Sequence, residues 1–215
     1  MTDIFKEIEE DLRAERLQNF WKRYSLAFAL VALAIVLGSA GYVGWRDHQQ
    51  GVRAAEGNKF SAALSLADKG DANAALAALS GVASTSSGGY AVLARLDAAS
   101  LEAGSGKIDD ALKSYDAIAA DTKLETVFRD LATLSAGYLR VDREAPETFK
   151  PRLQALTEPG NPWRYSAQEL MALADLKAGH LGDAKASFTK LADDAAAPQN
   201  IRARAAEILA ALGSS

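Results

Sequence analysis

The chain has 215 residues and a formal net charge of −4, with 24 basic residues, 28 acidic residues and no cysteine. The mild acidity leaves no basic stripe of the kind that nucleic acid-binding proteins need. The lack of cysteine excludes disulfides, thiol catalysis and cysteine metal sites, and the abundance of alanine over proline favours helices.

The first 23 residues form a charged segment that we expect to be an amphipathic helix. Thr2 can cap this helix. Three- and four-residue spacing predicts one apolar face, made of Ile4, Phe5, Ile8 and Leu12. This face either lies on the inner leaflet of a membrane or docks on a partner protein. The acidic residues around it favour a partner, because lipid-binding helices are usually rich in Lys and Arg.

Residues 24–45 contain no charged residue and are predicted to cross a membrane as one helix. A helix of this length spans roughly 30 Å, which is about the thickness of the hydrocarbon core of a bilayer. Tyr24 opens the segment, and Tyr42 and Trp45 close it, as expected for rings that prefer the headgroup level. A cleaved signal peptide is the alternative, but the long acidic segment ahead of the apolar run favours an uncleaved anchor.

The basic residues around this segment predict its orientation. Five lie before it and three follow it closely, and the richer side is usually cytoplasmic. The five are Lys6, Arg13, Arg16, Lys22 and Arg23, and the three are Arg46, Arg53 and Lys59. We therefore expect the N-terminus in the cytoplasm and the following domain on the opposite side.

Residues 46–68 contain no proline and predict a helix that continues from the membrane segment into the next domain. Gly51 and Gly57 weaken such a helix by only about 1 kcal/mol each relative to Ala. A continuous helix would hold the domain at a fixed height over the membrane. The alternative is a flexible hinge at Gly51.

A spaced pattern then occurs three times. It consists of a Gly, an Ala five residues later, a bulky apolar residue four further on, and another apolar residue after three more. Its members are Gly70, Ala75, Leu79 and Val82, then Gly106, Ala111, Tyr115 and Ile118, then Gly179, Ala184, Phe188 and Leu191. The alanines are 36 and then 73 residues apart, one period and two, which is typical of a helical solenoid. Each Gly is predicted to end a helix in a left-handed conformation, and each Ala to allow close helix contact.

The skipped period predicts a degenerate third repeat near residue 147. Residues 128–138 supply its first helix, and Phe149, Leu153 and Leu156 supply a second helix that two prolines keep short.

After a turn at residues 158–162, a fourth repeat is expected to begin at Trp163, and residues 201–212 form a last helix that caps the stack. The loop between the first and second repeats is predicted at residues 84–89.

No catalytic or metal-binding constellation is present in the sequence. His48 and His180 are the only histidines, and neither has a partner at metal-ligand spacing. No nucleophile elbow or Gly-rich phosphate loop occurs. We therefore predict no enzyme activity and no cofactor.

A protein-binding surface is the expected alternative to an active site. Aromatic and Arg side chains are enriched at interface hot spots, and they cluster in sequence at Phe128, Arg129, Trp163, Arg164 and Tyr165. For Phe128 and Trp163 a position in the core is favoured over a position at an interface.

The sequence thus predicts an all-α protein with an amphipathic helix at residues 1–23, a transmembrane helix at 24–45 and a repeat domain at 46–215. The small-to-bulky spacing in the second helix of each repeat resembles that of tetratricopeptide repeats. The predicted domain is an α-solenoid of about four helix pairs with a capping helix.

The whole arrangement also resembles one membrane protein family. Its start reads MTDIFKEIEEDLRAERLQNFWKRY, and its end reads ETFKPRLQALTEPGNPWRYSAQELMALADLKAGHLGDAKASFTKLADDAAAPQNIRARAAEILAAL. With the single span and the repeats, these are similar to the YfgM-like inner-membrane family, the ancillary subunits of the SecYEG translocon. The resemblance implies a periplasmic repeat domain in the bacterial inner membrane, and no catalytic residues.

The implied partners are the translocon and a membrane-anchored prolyl-isomerase-like chaperone, with the lipid bilayer around the span. The function implied is that of a non-enzymatic adaptor or chaperone-like subunit. Two alternatives stay open: a structural scaffold for another inner-membrane complex, and a soluble periplasmic binding module released by cleavage.

Overall fold

The computed structural model describes the backbone of residues 3–86 and 88–213. Side chains are described for residues 21–23, 26, 30, 31, 33–86 and 88–213. The cap predicted at Thr2 lies outside the described residues, and so do the side chains of the apolar face predicted at Ile4, Phe5, Ile8 and Leu12.

The first helix, α1, covers Asp3–Asp68. Its backbone is helical throughout residues 45–60, so the helix continuity predicted there is confirmed. By its internal contacts the chain divides into two compact units, Met1–Ala55 and Glu56–Ser215. Within the part that the structure describes, no helix meets the length and apolarity that a membrane crossing requires. The membrane span predicted at residues 24–45 therefore stays a prediction, and so does the domain boundary predicted between residues 45 and 46.

The second unit is built from helices joined by short connections. No strand occurs in the described residues, which confirms the all-α prediction. After α1 the helices are α2 (Ala72–Thr85), α3 (Gly89–Gly104), α4 (Ile108–Ala119), α5 (Thr126–Arg140), α6 (Pro146–Leu153), α7 (Arg164–Lys177), α8 (Leu181–Asp193) and α9 (Gln199–Gly213). A 3-10 helix, Gln154–Thr157, extends α6.

These helices form two layers. Consecutive helices pack against each other from α2 to α9, and α3, α5, α7 and α9 also contact one another in succession. No comparable contact joins α2 to α4, α4 to α6 or α6 to α8, all of which lie in the described residues. We call α3, α5, α7 and α9 the first layer, and α2, α4, α6 and α8 the second layer. The first layer is therefore the one whose neighbouring helices touch each other directly.

Glycines in the left-handed conformation end three helices, as the repeat pattern predicts. Gly70, Gly106 and Gly179 have φ angles of 84°, 79° and 80°. The residue after each glycine donates its N–H to a carbonyl five residues back, which closes the helix end in a Schellman motif. These bonds are Asp71 to Leu66 at 3.0 Å, Lys107 to Glu102 at 2.9 Å and His180 to Asp175 at 2.9 Å.

The core positions predicted from the repeat spacing are confirmed. Ala75, Ala111 and Ala184 are each 0% exposed. The bulky residues that follow them are also buried: Leu79, Val82, Tyr115, Ile118, Phe188 and Leu191. Small side chains at these points let neighbouring helices approach closely, and the larger ones fill the space beside them.

The degenerate third repeat is present as well. Phe149, Leu153 and Leu156 are buried, and α6 is only eight residues long. Several helix ends differ from the prediction by one or two residues, and α9 covers Gln199–Gly213 where residues 201–212 were predicted. The fourth repeat starts its helix at Arg164 with Trp163 as the cap, and α2 extends to Thr85, so the loop behind it is shorter than predicted.

The hydrophobic core follows the stack in order. Within the described residues it forms four clusters, each drawn from consecutive helices, with neighbouring clusters sharing one helix. The first joins the end of α1 to α2 and α3, and the second joins α3, α4 and α5. The third joins α5, α6 and α7, and the last joins α7, α8 and α9.

Gly57 on α1 is a contact point for α3, and this suggests a test of how α1 is attached. A Cβ atom at Gly57 would lie 2.8 Å from the hydroxyl oxygen of Tyr90, whose ring packs against Phe60 with 5.7 Å between ring centroids. We expect Gly57→Leu to displace this ring and to lower the free energy of unfolding by about 1–3 kcal/mol. Thermal unfolding of the full chain followed by circular dichroism measures the loss. In a Tyr90→Ala background the same substitution should instead stabilise the protein by up to about 1 kcal/mol, because space has been opened and Leu is a better helix former than Gly. An equal loss there would rule out the contact.

Candidate protein-binding surface

Three of the five predicted interface residues make packing contacts or a hydrogen bond inside the domain. Phe128 packs partly buried against the second cluster, and Trp163 packs against the third. Arg129 donates its Nε–H to the carbonyl of Ala119 at 3.1 Å, which ties the start of α5 to the end of α4. These contacts support a structural role for the three side chains.

The other two predicted residues, Arg164 and Tyr165, lie together at the start of α7. The Arg164 guanidinium stands over the Tyr165 ring, 5.1 Å from its centroid. The Tyr165 hydroxyl donates to a carboxylate oxygen of Asp194 at 3.2 Å. The Nε atom of Arg164 is buried and has no hydrogen-bond partner among the described residues. This arrangement holds the guanidinium in place while leaving one of its donors unused.

Clefts open where the second-layer helices are separated. One lies between α2 and α4 over α3, with a volume of about 540 Å³. Another lies between α4 and α6 over α5, at about 260 Å³. A further one lies between α6 and α8 over α7, at about 460 Å³. We call them the α3 cleft, the α5 cleft and the α7 cleft.

The charged groups of the α3 cleft have partners in the domain. Arg95 binds Asp121 at 2.9 Å, and Glu102 accepts a hydrogen bond from Ser114 at 2.8 Å. The hydrogen bond from Arg95 lowers the pKa of the partly buried Asp121 carboxyl.

The charged groups of the α5 cleft are paired as well. Arg140 binds Asp116 and Glu144, and Arg152 binds Glu144 at 3.1 Å. The hydrogen bond to Asp116 raises the pKa of Arg140. The charged side chains that line the α3 and α5 clefts are therefore paired within the domain.

The α7 cleft is different, because its basic groups outnumber their partners. Lys150 on α6 binds both carboxylate oxygens of Asp175 at 2.8 and 2.9 Å. Asp194 accepts hydrogen bonds from Tyr165 and from the backbone N–H of Ala196. Arg164 and Lys190, which also line the cleft, have no carboxylate partner among the described residues.

A second set of polar groups lies on the first layer. Arg204 on α9 donates two hydrogen bonds to Glu169 on α7, at 2.7 and 2.6 Å. Burial raises the pKa of Tyr138 on α5, and the nearby Glu169 charge raises it further. These groups come from three successive first-layer helices, so they tie the capping helix into the stack rather than forming an open binding site.

Asp97 on α3 provides a pH test of this layer. Partial burial raises the pKa of its carboxyl above the ordinary value of 3.8. The ionised form is thus disfavoured in the folded state, and its cost is present above the folded pKa and absent below 3.8. We expect Asp97→Asn to stabilise the protein at pH 7 by a small amount, about 0.5 kcal/mol. Urea unfolding across the acidic range should show this gain shrinking as the pH falls, whereas a pH-independent difference would contradict the assignment.

No group of three or more His, Cys, Asp or Glu side chains that could hold a metal ion occurs in the described part of the chain. A layered stack of short helices with clefts between them defines the class of helical-repeat domains.

The family description "tetratricopeptide repeat-like domain" matches residues 18–203, and the chain belongs to that family. Comparisons with curated proteins and with solved structures give no match. Domains of this family are generally non-catalytic modules for protein–protein interaction.

Proposed function

We propose that the protein is a non-enzymatic, membrane-anchored adaptor or chaperone-like subunit that presents its repeat domain in the periplasm beside the Sec translocon. Membership of an interaction-module family carries the proposal. The uncharged segment at residues 24–45 supports the anchor, and the resemblance to YfgM-like proteins supports the site of action. The chain would cross the bacterial inner membrane once, with its N-terminus in the cytoplasm.

Exposed apolar side chains also support the anchor. Leu30, Ile35 and Leu37 are 58%, 65% and 63% exposed. Apolar side chains exposed at such density mark a surface that a bilayer or a partner covers. The family match begins at residue 18, ahead of this segment, so the segment belongs to the matched region.

Two measurements test the anchor and its orientation. Membranes from cells that make the full chain should retain it after carbonate extraction, because an apolar helix in a bilayer is not released by high pH. A C-terminal reporter that works only outside the cytoplasm should be active. Release of the full-length protein by carbonate would overturn the anchor, and a reporter active only in the cytoplasm would overturn the orientation.

A crosslinking experiment tests the partner. A photoreactive residue at Gln168 in the α7 cleft, or at Leu93 on α3, would report what lies against the domain in intact membranes. Leu93 is 38% exposed, and Gln168 lines the cleft. Crosslinks to a translocon subunit or to a periplasmic chaperone are expected. Crosslinks confined to an unrelated complex would reject the translocon assignment.

A scaffold subunit of another inner-membrane complex is the second candidate, and one observation favours it. Gly38, Gly41 and Gly44 recur at three-residue spacing within the uncharged segment. Small residues let transmembrane helices pack closely, so these glycines suit contact with another membrane helix. Crosslinks from residue 41, rather than from the repeat domain, would support this candidate.

A further inference from the structure

We propose that the part of α1 directly after the predicted membrane segment binds the phosphate group of an anionic phospholipid through Arg46 and Arg53. The inference rests on the proposed function, because it requires residues 24–45 to lie in a bilayer. It begins from the side chains that follow this segment on one face of the helix.

Four side chains with hydrogen-bond donors share a face of α1. Arg46 and Arg53 are seven residues apart, close to two helical turns, so they lie on the same face. Gln49 and Gln50 follow Arg46 by three and four residues, which places them between the two arginines on that face. We call these four residues the basic stripe. Both arginines and Gln50 are exposed, and Gln49 is half-buried.

The basic stripe begins at the level expected for lipid headgroups. Tyr42 precedes Arg46 by four residues on the same face, and its ring centroid lies 6.4 Å from that of Trp45. Both rings are 61% exposed. Because Tyr and Trp prefer the boundary between membrane and water, the residue that follows Trp45 lies close to the phosphate groups.

The direction of the side chains brings the second arginine toward the same level. Side chains of an α-helix lean toward its N-terminus, and for residues after the predicted segment that direction is toward the membrane. Arg53 lies about 10 Å beyond Arg46 along the helix axis. Its long side chain covers the turn before it, and arginines at membrane edges extend in this way to reach the headgroups.

The two guanidinium groups are available for an anion. Neither Arg46 nor Arg53 forms an ion pair in the part of the chain that the structure describes. Asp47 adjoins Arg46 in the sequence but is turned about 100° away from it around the helix. A guanidinium binds phosphate oxygens through paired hydrogen bonds, which makes arginine the preferred residue for phosphate recognition.

The basic stripe favours phosphatidylglycerol over phosphatidylethanolamine. Both lipids contain a phosphodiester, but phosphatidylethanolamine also has an ammonium group, which the guanidinium groups repel. The stripe itself contains no carboxylate that would attract this ammonium group. The glycerol hydroxyls of phosphatidylglycerol can instead exchange hydrogen bonds with the amides of Gln49 and Gln50.

The test measures lipid binding to the full-length protein in detergent micelles that contain equal amounts of the two lipids. Mass spectrometry of the intact complexes gives the apparent affinity for each lipid, and we expect phosphatidylglycerol to be preferred. Arg46→Gln and Arg53→Gln should each weaken its binding about fivefold, the effect of one basic residue at an anionic membrane surface. Both arginines are exposed, so their replacement is compatible with folding.

A relocated charge is the matched control. Arg53→Gln combined with Ala55→Arg keeps the net charge, but Ala55 is exposed and follows Arg46 by nine residues, which places it on the opposite face of α1. We expect this double variant to bind phosphatidylglycerol as weakly as Arg53→Gln alone. Full recovery of binding would mean that the net charge, rather than the basic stripe, attracts the lipid, and would overturn the inference.

A soluble competitor separates a lipid from a free phosphate. Glycerol 3-phosphate at the concentration of the lipid should not displace phosphatidylglycerol, because it lacks the acyl chains that hold the headgroup at the membrane surface. Displacement by glycerol 3-phosphate would overturn the assignment of a lipid. Equal binding of the two lipids, or unchanged affinity in both single variants, would also overturn it.

These results differ from a failure of the proposed function. Protein that stays in membranes after carbonate extraction but shows no preference for phosphatidylglycerol would reject the basic stripe and leave the anchored adaptor standing. Release of the full-length protein by carbonate would reject the anchor itself, whatever lipid the protein binds in micelles.

Discussion

Ala111→Trp is expected to unfold the second repeat. Ala111 is 0% exposed on α4, and the helices around it are already in close contact. Overpacking a filled core costs about 1–3 kcal/mol, and an indole in place of a methyl group is at the upper end of that range or beyond it. Thermal unfolding of the full chain by circular dichroism measures the loss, and hydrogen exchange should place it in α3, α4 and α5.

Lys113→Trp is the matched control for this substitution. Lys113 lies two residues away on α4 with its side chain 79% exposed, and its ion pair with Asp110 is at the surface, where such pairs contribute little. We expect it to change stability by no more than about 0.5 kcal/mol. Equal losses in the two variants would mean that the buried face of α4 is wrongly assigned.

Arg204→Ala is expected to detach the capping helix α9. The substitution leaves the Glu169 carboxylate, whose side chain is 6% exposed, without its two hydrogen bonds from α9. Breaking a buried ion pair costs about 3–5 kcal/mol, and we expect the lower part of that range because the Arg204 side chain is 49% exposed. Urea unfolding of the full chain gives the change in free energy.

Replacing either partner of the Arg204–Glu169 ion pair should not cost the same free energy of unfolding. Glu169→Gln leaves a guanidinium that water can reach, so we expect it to cost less than Arg204→Ala. Glu207→Ala removes an exposed charge from α9, the helix that carries Arg204, and should leave the free energy of unfolding nearly unchanged. A larger loss in the free energy of unfolding for Glu169→Gln than for Arg204→Ala would contradict the explanation that burial of the remaining charge sets the loss.

The repeats were predictable because the residues that make each close helix contact lie near one another in the sequence. Each Gly, Ala and bulky residue of the pattern lies within 12 residues of the others, and the short α6 was visible in its two prolines. Spacing of this kind determines which face of a helix is buried. It also placed the helix ends to within one or two residues, for example at Trp163, whose backbone caps α7 instead of opening it.

The functional surface was less predictable, because its parts come from different helices. Glu169 and Arg204 lie 35 residues apart, and the α7 cleft takes Lys150, Arg164 and Lys190 from three helices. Single charged residues at such distances carry no local signal that they meet. The role of Gly57 was also missed. The sequence predicted only that it weakens α1, whereas in the structure the Tyr90 ring packs against it.

The serial order of the four hydrophobic clusters affects how damage spreads in the repeat domain. Leu79 belongs to the first cluster and Phe188 to the last, and the two clusters have no helix in common. Repeat proteins of this type lose cooperativity with distance, since each unit is stabilised by its neighbours alone. An end can therefore fray open while the middle stays folded. A protease acting on such a frayed end would shorten the stack from that side and spare the repeats beyond it.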